Sequence, residues 1–404
     1  MPTIVDCPTL TKQALAVFGA LCANAPARRH VAEYLTGLMV ADRKTVSGIH
    51  RALAVTTDQS CWNRWRTATA WDVYAVNERR LAWLQQNPKT RDSPRGVMAL
   101  DNPLGDHPGQ LLEDVGWCWD PADERSVIAH DEVLSNSVGP AGAHSPMEWR
   151  RFRKRETCAA AAFQDHTTRG LALLDDAMAR ALPGDVPCDR SCTSAQVLNH
   201  LQRQQRASVG DRKVPRQGVY AGREPHRSAV APQMPGDANP PIRSGTRRDW
   251  SCSTRMRIPA VGHPVRVGLF WQKRSAREAS KALVRHRLVW AVRRMLLVYR
   301  HRWTGPETLQ RDGKQPWGLG DCQGRSGAGQ TRPVSLVSAA YSLLRSALHQ
   351  SRPQEWARHT LRTIGDACRA VQAETLAQRV DGMADKLRMD HWSVSESKAV
   401  LVYP

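Results

Sequence analysis

The chain has 404 residues, enough for about two or three domains, and its 58 Lys and Arg outnumber 38 Asp and Glu for a formal charge of +20. That excess points to a polyanionic partner, because neutralising phosphates releases counterions, and no apolar stretch approaches transmembrane length. Ten cysteines lie scattered with no Cys-x-x-Cys pair, and Cys188-x3-Cys192 has no partner pair at zinc-site spacing. This argues against a disulfide framework or structural zinc and for reduced thiols in the cytoplasm.

Residues 9 to about 90 read as helical. "ALAVFGALCANAPA" (14–27) ends in an Ala-x-Ala-like site, as a secretory signal would. With Asp6 upstream and Lys12 its sole positive charge, it reads instead as a buried helix. Pro26 interrupts before "RRHVAEYLTGLMV" resumes. Asp42 can cap a helix through Leu53, and Thr57 another through "DQSCWNRWR". That pair, with Arg51, Arg64 and Arg66 nearby, matches a DNA-reading helix-turn-helix or a plain packing unit.

From Arg95 the pattern changes. "GVMALD" is a short apolar run that delivers Asp101 at its tip, as a buried strand would. "GQLLEDVGWCWD" and "RSVIAHDEVLSNSV" are strand-like around the turn "PADE". "DHTTRGLALLDDAMARAL" is helical, with Leu171, Leu174, Met178 and Leu182 on one face. A brief extended piece then leads to Asp189 and a helix capped by Thr193 or Ser194. This order predicts an α/β fold, a mixed sheet flanked by helices. Residues 205 to about 260, rich in Pro, Gly and Arg, read as loop or insertion, with "HPVRVGLFW" the one clear strand beyond. A long helix is expected through "ALVRHRLVWAVRRMLLVYRHRW", another at "VSLVSAAYSLLRSALHQ", and a last one carrying Leu361, Ile364 and Cys368 on one face.

Between these helices lies "YRHRWTGPETLQRDGK" (299–314). Thr304-Gly305-Pro306-Glu307 is a capping box, which alone explains Glu307. Glu307, Arg311 and Lys314 also share one helical face, with Arg302 and Tyr299 just upstream. A carboxylate among Arg, Lys and Tyr suits a site where an acid holds a metal and bases grip a phosphodiester.

Here the chain resembles the DDE transposases of bacterial insertion sequences, whose RNase H-like domain carries a Tyr-x2-Arg-x3-Glu-x6-Lys signature. Tyr299-x2-Arg302 and Glu307-x6-Lys314 both match, with the Arg302 to Glu307 gap one residue longer. The resemblance runs from about residue 30 to 350. It implies Asp101, Asp189 and Glu307 as catalytic acids holding two Mg²⁺ ions, with Mn²⁺ as substitute. Tyr299, Arg302, Arg311 and Lys314 become DNA-phosphate contacts. Asp106, Asp114, Asp120 and Asp185 are rival ligands.

The implied organisation is an all-helical region at 1–92 for DNA binding or assembly and a catalytic domain at 93–350. An insertion at about 205–285 precedes the last catalytic helix, and a helical tail spans 351–404. The implied partners are double-stranded DNA, at transposon ends and target, and a second protomer on paired ends, at the bacterial nucleoid, with no membrane. Two rivals share the charge: a non-catalytic DNA-binding descendant of such an enzyme, and a general nuclease or RNA-binding protein. Pro187 stands where a central strand should donate, and the 205–260 stretch has few β-branched or aromatic residues. With 14 Trp but only 6 Tyr and 4 Phe, these features lead to the expectation of a transposase whose scaffold has drifted.

Overall fold

The computed structural model describes residues 3–69, 71–93, 95–106, 111–120, 123–140, 143–180, 182, 184–190, 192–211, 219–220, 239–244, 247–258, 260–273, 279–302, 324–348, 361 and 363–394. They form a mixed α/β structure in two compact units, one of residues 1–91, 111–113 and 312–404, the other of 92–110 and 114–311. Among the described residues no helix is long and apolar enough to cross a membrane.

The first unit is helical: α1 (Thr9–Phe18), α2 (Ala25–Val40), α3 (Val46–Ala52), α4 (Gln59–Ala68) and α5 (Val73–Gln86). The starts of α2 to α5 follow short polar caps. Asn24 accepts from the Ala27 amide with Pro26 in the first turn, and Asp72 accepts from Tyr74. The caps of α3 and α4 are Thr45 and Asp58 rather than the expected Asp42 and Thr57. Tyr34, Trp62 and Trp65 pack their rings together beside His30, so tryptophan does fill this core. Arg66, expected near a DNA-reading surface, is buried, while Arg51 and Arg64 are exposed.

Gly37 sets the spacing between α2 and α3, since a Cβ there would lie 2.2 Å from Ile49 Cγ2. Gly37→Ala gains about 1 kcal/mol of helix propensity. Overpacking against a fully buried, β-branched Ile49 costs about 1–3 kcal/mol. The clash wins, so thermal denaturation should show a lowered Tm.

The second unit is built on two sheets, one of five strands and one of seven, joined among the described residues by a single bridge. Its strands are β1 (Val97–Asp101), β2 (Leu104–Asp106), β3 (Gly116–Asp120), β4 (Arg125–Val138) and β5 (His144–Arg151), then α6 (His166–Ala179), β6 (Val186–Cys188), α7 (Ala195–Arg203) and β7 (Ser208–Asp211). The long β4 pairs antiparallel with β1 and β2 along one edge and with β5 and β3 along the other. Beyond β1 comes β6, parallel to β7. The β1–β6 junction is a parallel bridge, Val97 to Asp185, with the Met98 amide donating to the Asp185 carbonyl at 2.9 Å. A continuing ladder would need an amide at 187 donating back to Met98. Pro187 has none, so the ladder stops there and the two sheets meet through this short contact.

The segment expected as loop contains strands. β8 (Val219–Tyr220), β9 (Asn239–Ser244), β10 (Arg247–Arg257), β11 (Val265–Trp271) and β12 (Lys281–Arg285) complete the seven-stranded sheet in the order β6-β7-β12-β11-β10-β8, with β9 also on β10. β10 escaped a hydrophobic reading because two of its buried residues are Asp249 and Ser251. The long helix expected from Ala282 is instead β12 followed by α8 (Val292–Arg302), because Ala282, Leu283 and Val284 pair across to Leu269, Gly268 and Val267.

α6 and α8 cover opposite faces of β1. Gly170 of α6 lies over Leu100, whereas Met295 and Tyr299 of α8 pack with Val97 and Val138. β strands alternate faces, so α8 shares its face with Asp101.

α9 (Gly327–Ala347) and α10 (Ile364–Val394) return to the helical unit, α9 packing on α5, α2 and α4. Both helices, α9 from the range expected as catalytic domain and α10 from the expected tail, fall in the first unit. Leu361, Ile364 and Cys368 are buried together as their spacing predicts.

Candidate active site

All five residues of β1 are buried, and the strand ends on Asp101, which is 7% exposed. An anion there needs compensation. Arg302, in the last turn of α8, supplies it, with Nη1 3.8 Å from Asp101 Oδ1.

Asp189 follows β6 directly and is half-buried. Its Oδ1 accepts from the Cys192 amide at 2.7 Å, and its backbone carbonyl accepts from the Thr193 hydroxyl. Thr193 in turn sits against Gly210 of β7, where a Cβ would lie 2.1 Å from Thr193 Oγ1. Cys192 Sγ reaches Asn102 Oδ1, 3.3 Å away, so the turn holding Asp189 also touches the residue after Asp101.

Arg302 is the common neighbour. Burial works against its charge, but Tyr299 and the carboxylates of Asp101 and Asp189 more than offset this and hold its pKa above the usual arginine value. Tyr299, one helical turn earlier, donates its hydroxyl to Asp211 Oδ2 at 3.4 Å. Burial pushes the Tyr299 pKa up to about 12, with Asp211 and Asp189 acting in the same direction and Arg302 against it. Arg190 Nη2 stands 3.7 Å from the same Asp211 oxygen.

The structure thus gathers Asp101, Asp189, Tyr299 and Arg302 around the ends of β1 and β6. Glu307, Arg311 and Lys314 lie outside the described residues. Tyr299 and Arg302, expected to grip DNA phosphates, are 1% and 8% exposed, turned inward because the buried face of α8 carries both at i and i+3. There they contact Asp211 and Asp101. Asp211 was missed by the sequence reading, although "SVGD" repeats the pattern of "VMALD", a short run ending in an acid. Among the described residues its Oδ1 has no hydrogen-bond partner.

The donor set is hard oxygen, which suits Mg²⁺ rather than a softer metal. Among the described residues no three His, Cys, Asp or Glu side chains come together as a metal site. Asp101 and Asp189, two of the three acids expected as ligands, both lie near Arg302.

Burial, with Asp189 beside it, pushes the Cys188 thiol up to about 12. At pH 8 it should resist iodoacetamide in the folded protein and react only after denaturation, which peptide mass spectrometry would resolve. No protein-family model matches the chain, and no curated protein matches it.

Proposed function

We propose that this protein is a DDE-type transposase that cleaves DNA at the ends of an insertion sequence and joins it to a target. The second unit, on this reading, is an RNase H-like catalytic domain. The observation that carries the proposal is that Asp101, at the end of β1, and Asp189, just after β6, are far apart in sequence yet share Arg302, their strands joined by the Val97–Asp185 bridge. Further support comes from the strand order β5-β4-β1-β6-β7, flanking helices on both faces of β1, and a strand-rich insertion before α8.

Asp101 and Asp189, with Glu307, would hold Mg²⁺ or Mn²⁺. Bound there, the metal activates a water or a 3′-hydroxyl and stabilises the leaving oxygen of the phosphodiester. The chain's own residues orient these acids. The Cys192 amide and the Thr193 hydroxyl fix the Asp189 turn, while Arg302 sets the position of the Asp101 carboxylate. The +20 charge would hold double-stranded DNA, and two protomers would act on paired ends in the bacterial cytoplasm.

A second reading, a non-catalytic DNA-binding protein of the same ancestry, is favoured by one observation. The Asp101 carboxylate already has the Arg302 guanidinium as its counter-charge. Nicking of supercoiled plasmid in Mg²⁺ or Mn²⁺, lost in Glu307→Gln, supports the enzyme. If wild type and variant both melt cooperatively, bind DNA and leave the plasmid intact, the second reading stands.

A further inference from the structure

α10 begins in the core of the helical unit and ends outside it. Ile364, Ala367, Cys368, Val371 and Thr375 are buried. Past Thr375 none of the described residues of the helix is buried, yet it runs on to Val394, and more than half of its 31 residues lie in that stretch. Leu376, Val380, Met383 and Leu387 are 58%, 56%, 54% and 51% exposed there. They follow at steps of four, three and four, and half-buried Ala373 continues the series toward the core. Exposed apolar side chains scattered singly are ordinary, but a line of four marks a contact surface.

Alternating steps of three and four average about 3.5 residues, the period of a coiled coil rather than of a helix laid on a globular core. Val380 and Leu387 take the a positions of such a heptad, and Leu376 and Met383 the d positions. A β-branched a with a leucine d suits two parallel strands. Ala377 and Ala384, beside the line, are small enough to let a second helix approach. Asp381, Asp385 and Arg388 fall on the other side, where Asp385 and Arg388 pair at 3.7 Å. Gly382 has open space where a Cβ would be, so it lowers helix stability without serving a close contact. An exposed helical stretch of this kind is marginal alone in water and gains most of its stability by packing an apolar face.

We propose that Leu376, Val380, Met383 and Leu387 form a parallel two-stranded coiled coil with the same residues of a second copy of this chain. The four side chains carry no charge, so they select no partner by sign. What they match in spacing, size and chemistry is a second set of themselves. The buried half of α10 already holds the first turns of the helix, which lowers the cost of ordering the rest on association. The pairing needs neither metal nor DNA and does not rest on the catalytic reading. Where that reading holds, this seam joins the two protomers.

Sedimentation equilibrium of the full chain tests it. The seam is short, so the mass should climb from 45.0 kDa toward twice that value between about 1 µM and about 100 µM. Helical circular dichroism should rise over the same range, because association orders the exposed half of α10. Val380→Glu and Val380→Lys each set like charges against each other across a parallel seam, and each should weaken the dimer at least about tenfold. Both are exposed substitutions to good helix formers, so the dilute variants should melt as the dilute wild type does. An equimolar mixture of the two should recover the dimer, because a parallel seam lays position 380 on position 380. An antiparallel seam would lay it on Met383 instead. The proposal is overturned if the wild type stays at 45.0 kDa throughout, which leaves the seam to another protein's helix. It is also overturned if Val380→Glu associates as the wild type does, or recovers a partner with Met383→Lys rather than with Val380→Lys.

Discussion

Asp189→Asn is expected to lower metal-dependent plasmid nicking by at least about a thousandfold, equivalent to about 4 kcal/mol of transition-state stabilisation. The substitution removes the anionic oxygen that a divalent cation needs, yet the amide oxygen can still accept from the Cys192 amide, so the turn after β6 survives. The melt should be close to that of wild type. Asp101 is a less clean probe. Removing its charge leaves Arg302 buried without its carboxylate, which costs about 3–5 kcal/mol of stability. Asp101→Asn would therefore lose activity for two reasons, whereas Asp189→Asn isolates the metal ligand. A variant that folds and still nicks at a tenth of the wild-type rate would remove Asp189 from the catalytic set.

Arg285→Met is expected to stabilise the protein by about 1–4 kcal/mol, seen as a Tm higher by several degrees. Burial, reinforced by Arg294, Arg287 and Arg266 and opposed by Asp185, pushes the Arg285 pKa down to about 8. A guanidinium whose folded pKa lies below its unfolded one favours the unfolded chain wherever it is protonated in both states. The penalty is therefore complete at and below about pH 8 and is relieved only as the pH climbs toward the usual arginine range. The gain from Met should be equal at pH 6 and pH 7. Methionine keeps an apolar contact on Trp290 without a charge to desolvate. A lowered Tm would mean that the ring contact outweighs the desolvation, against this argument.

Two features of the sheet unit weaken its fold. Pro187 shortens the β1–β6 ladder, and Arg285 sits in the core without a hydrogen bond. Both lie in the sheet unit that carries the candidate acids, and each weakens the fold by a mechanism that does not touch the carboxylates.

Several parts of this fold were determined by the sequence alone. β1, β4 and α7 announce themselves through apolar pattern and a Ser194 cap, and "VMALD" places an acid at a strand end, whereas α6 forms as expected but buries Gly170, Leu173, Leu174 and Ala177 rather than Leu171 and Met178. These signals are local, so neighbours in the chain suffice to carry them. The tertiary structure alone decided the rest. β10 buries Asp249, which becomes acceptable once Arg300 of α8 reaches it at 2.7 Å. α1 has Pro8 at its cap position, and Glu374 of α10 supplies the missing acceptor to the Thr9 amide at 2.7 Å. Arg80, 1% exposed, finds Asn77 beside it and Ser342 of α9 across the core. Tyr299 and Arg302 stand in a motif that reads as surface, and packing turns them onto Asp211 and Asp101. In each case a buried polar group is satisfied by a residue distant in sequence. No periodicity records that partner, because the cost of burial and its compensation arise only when the two segments meet.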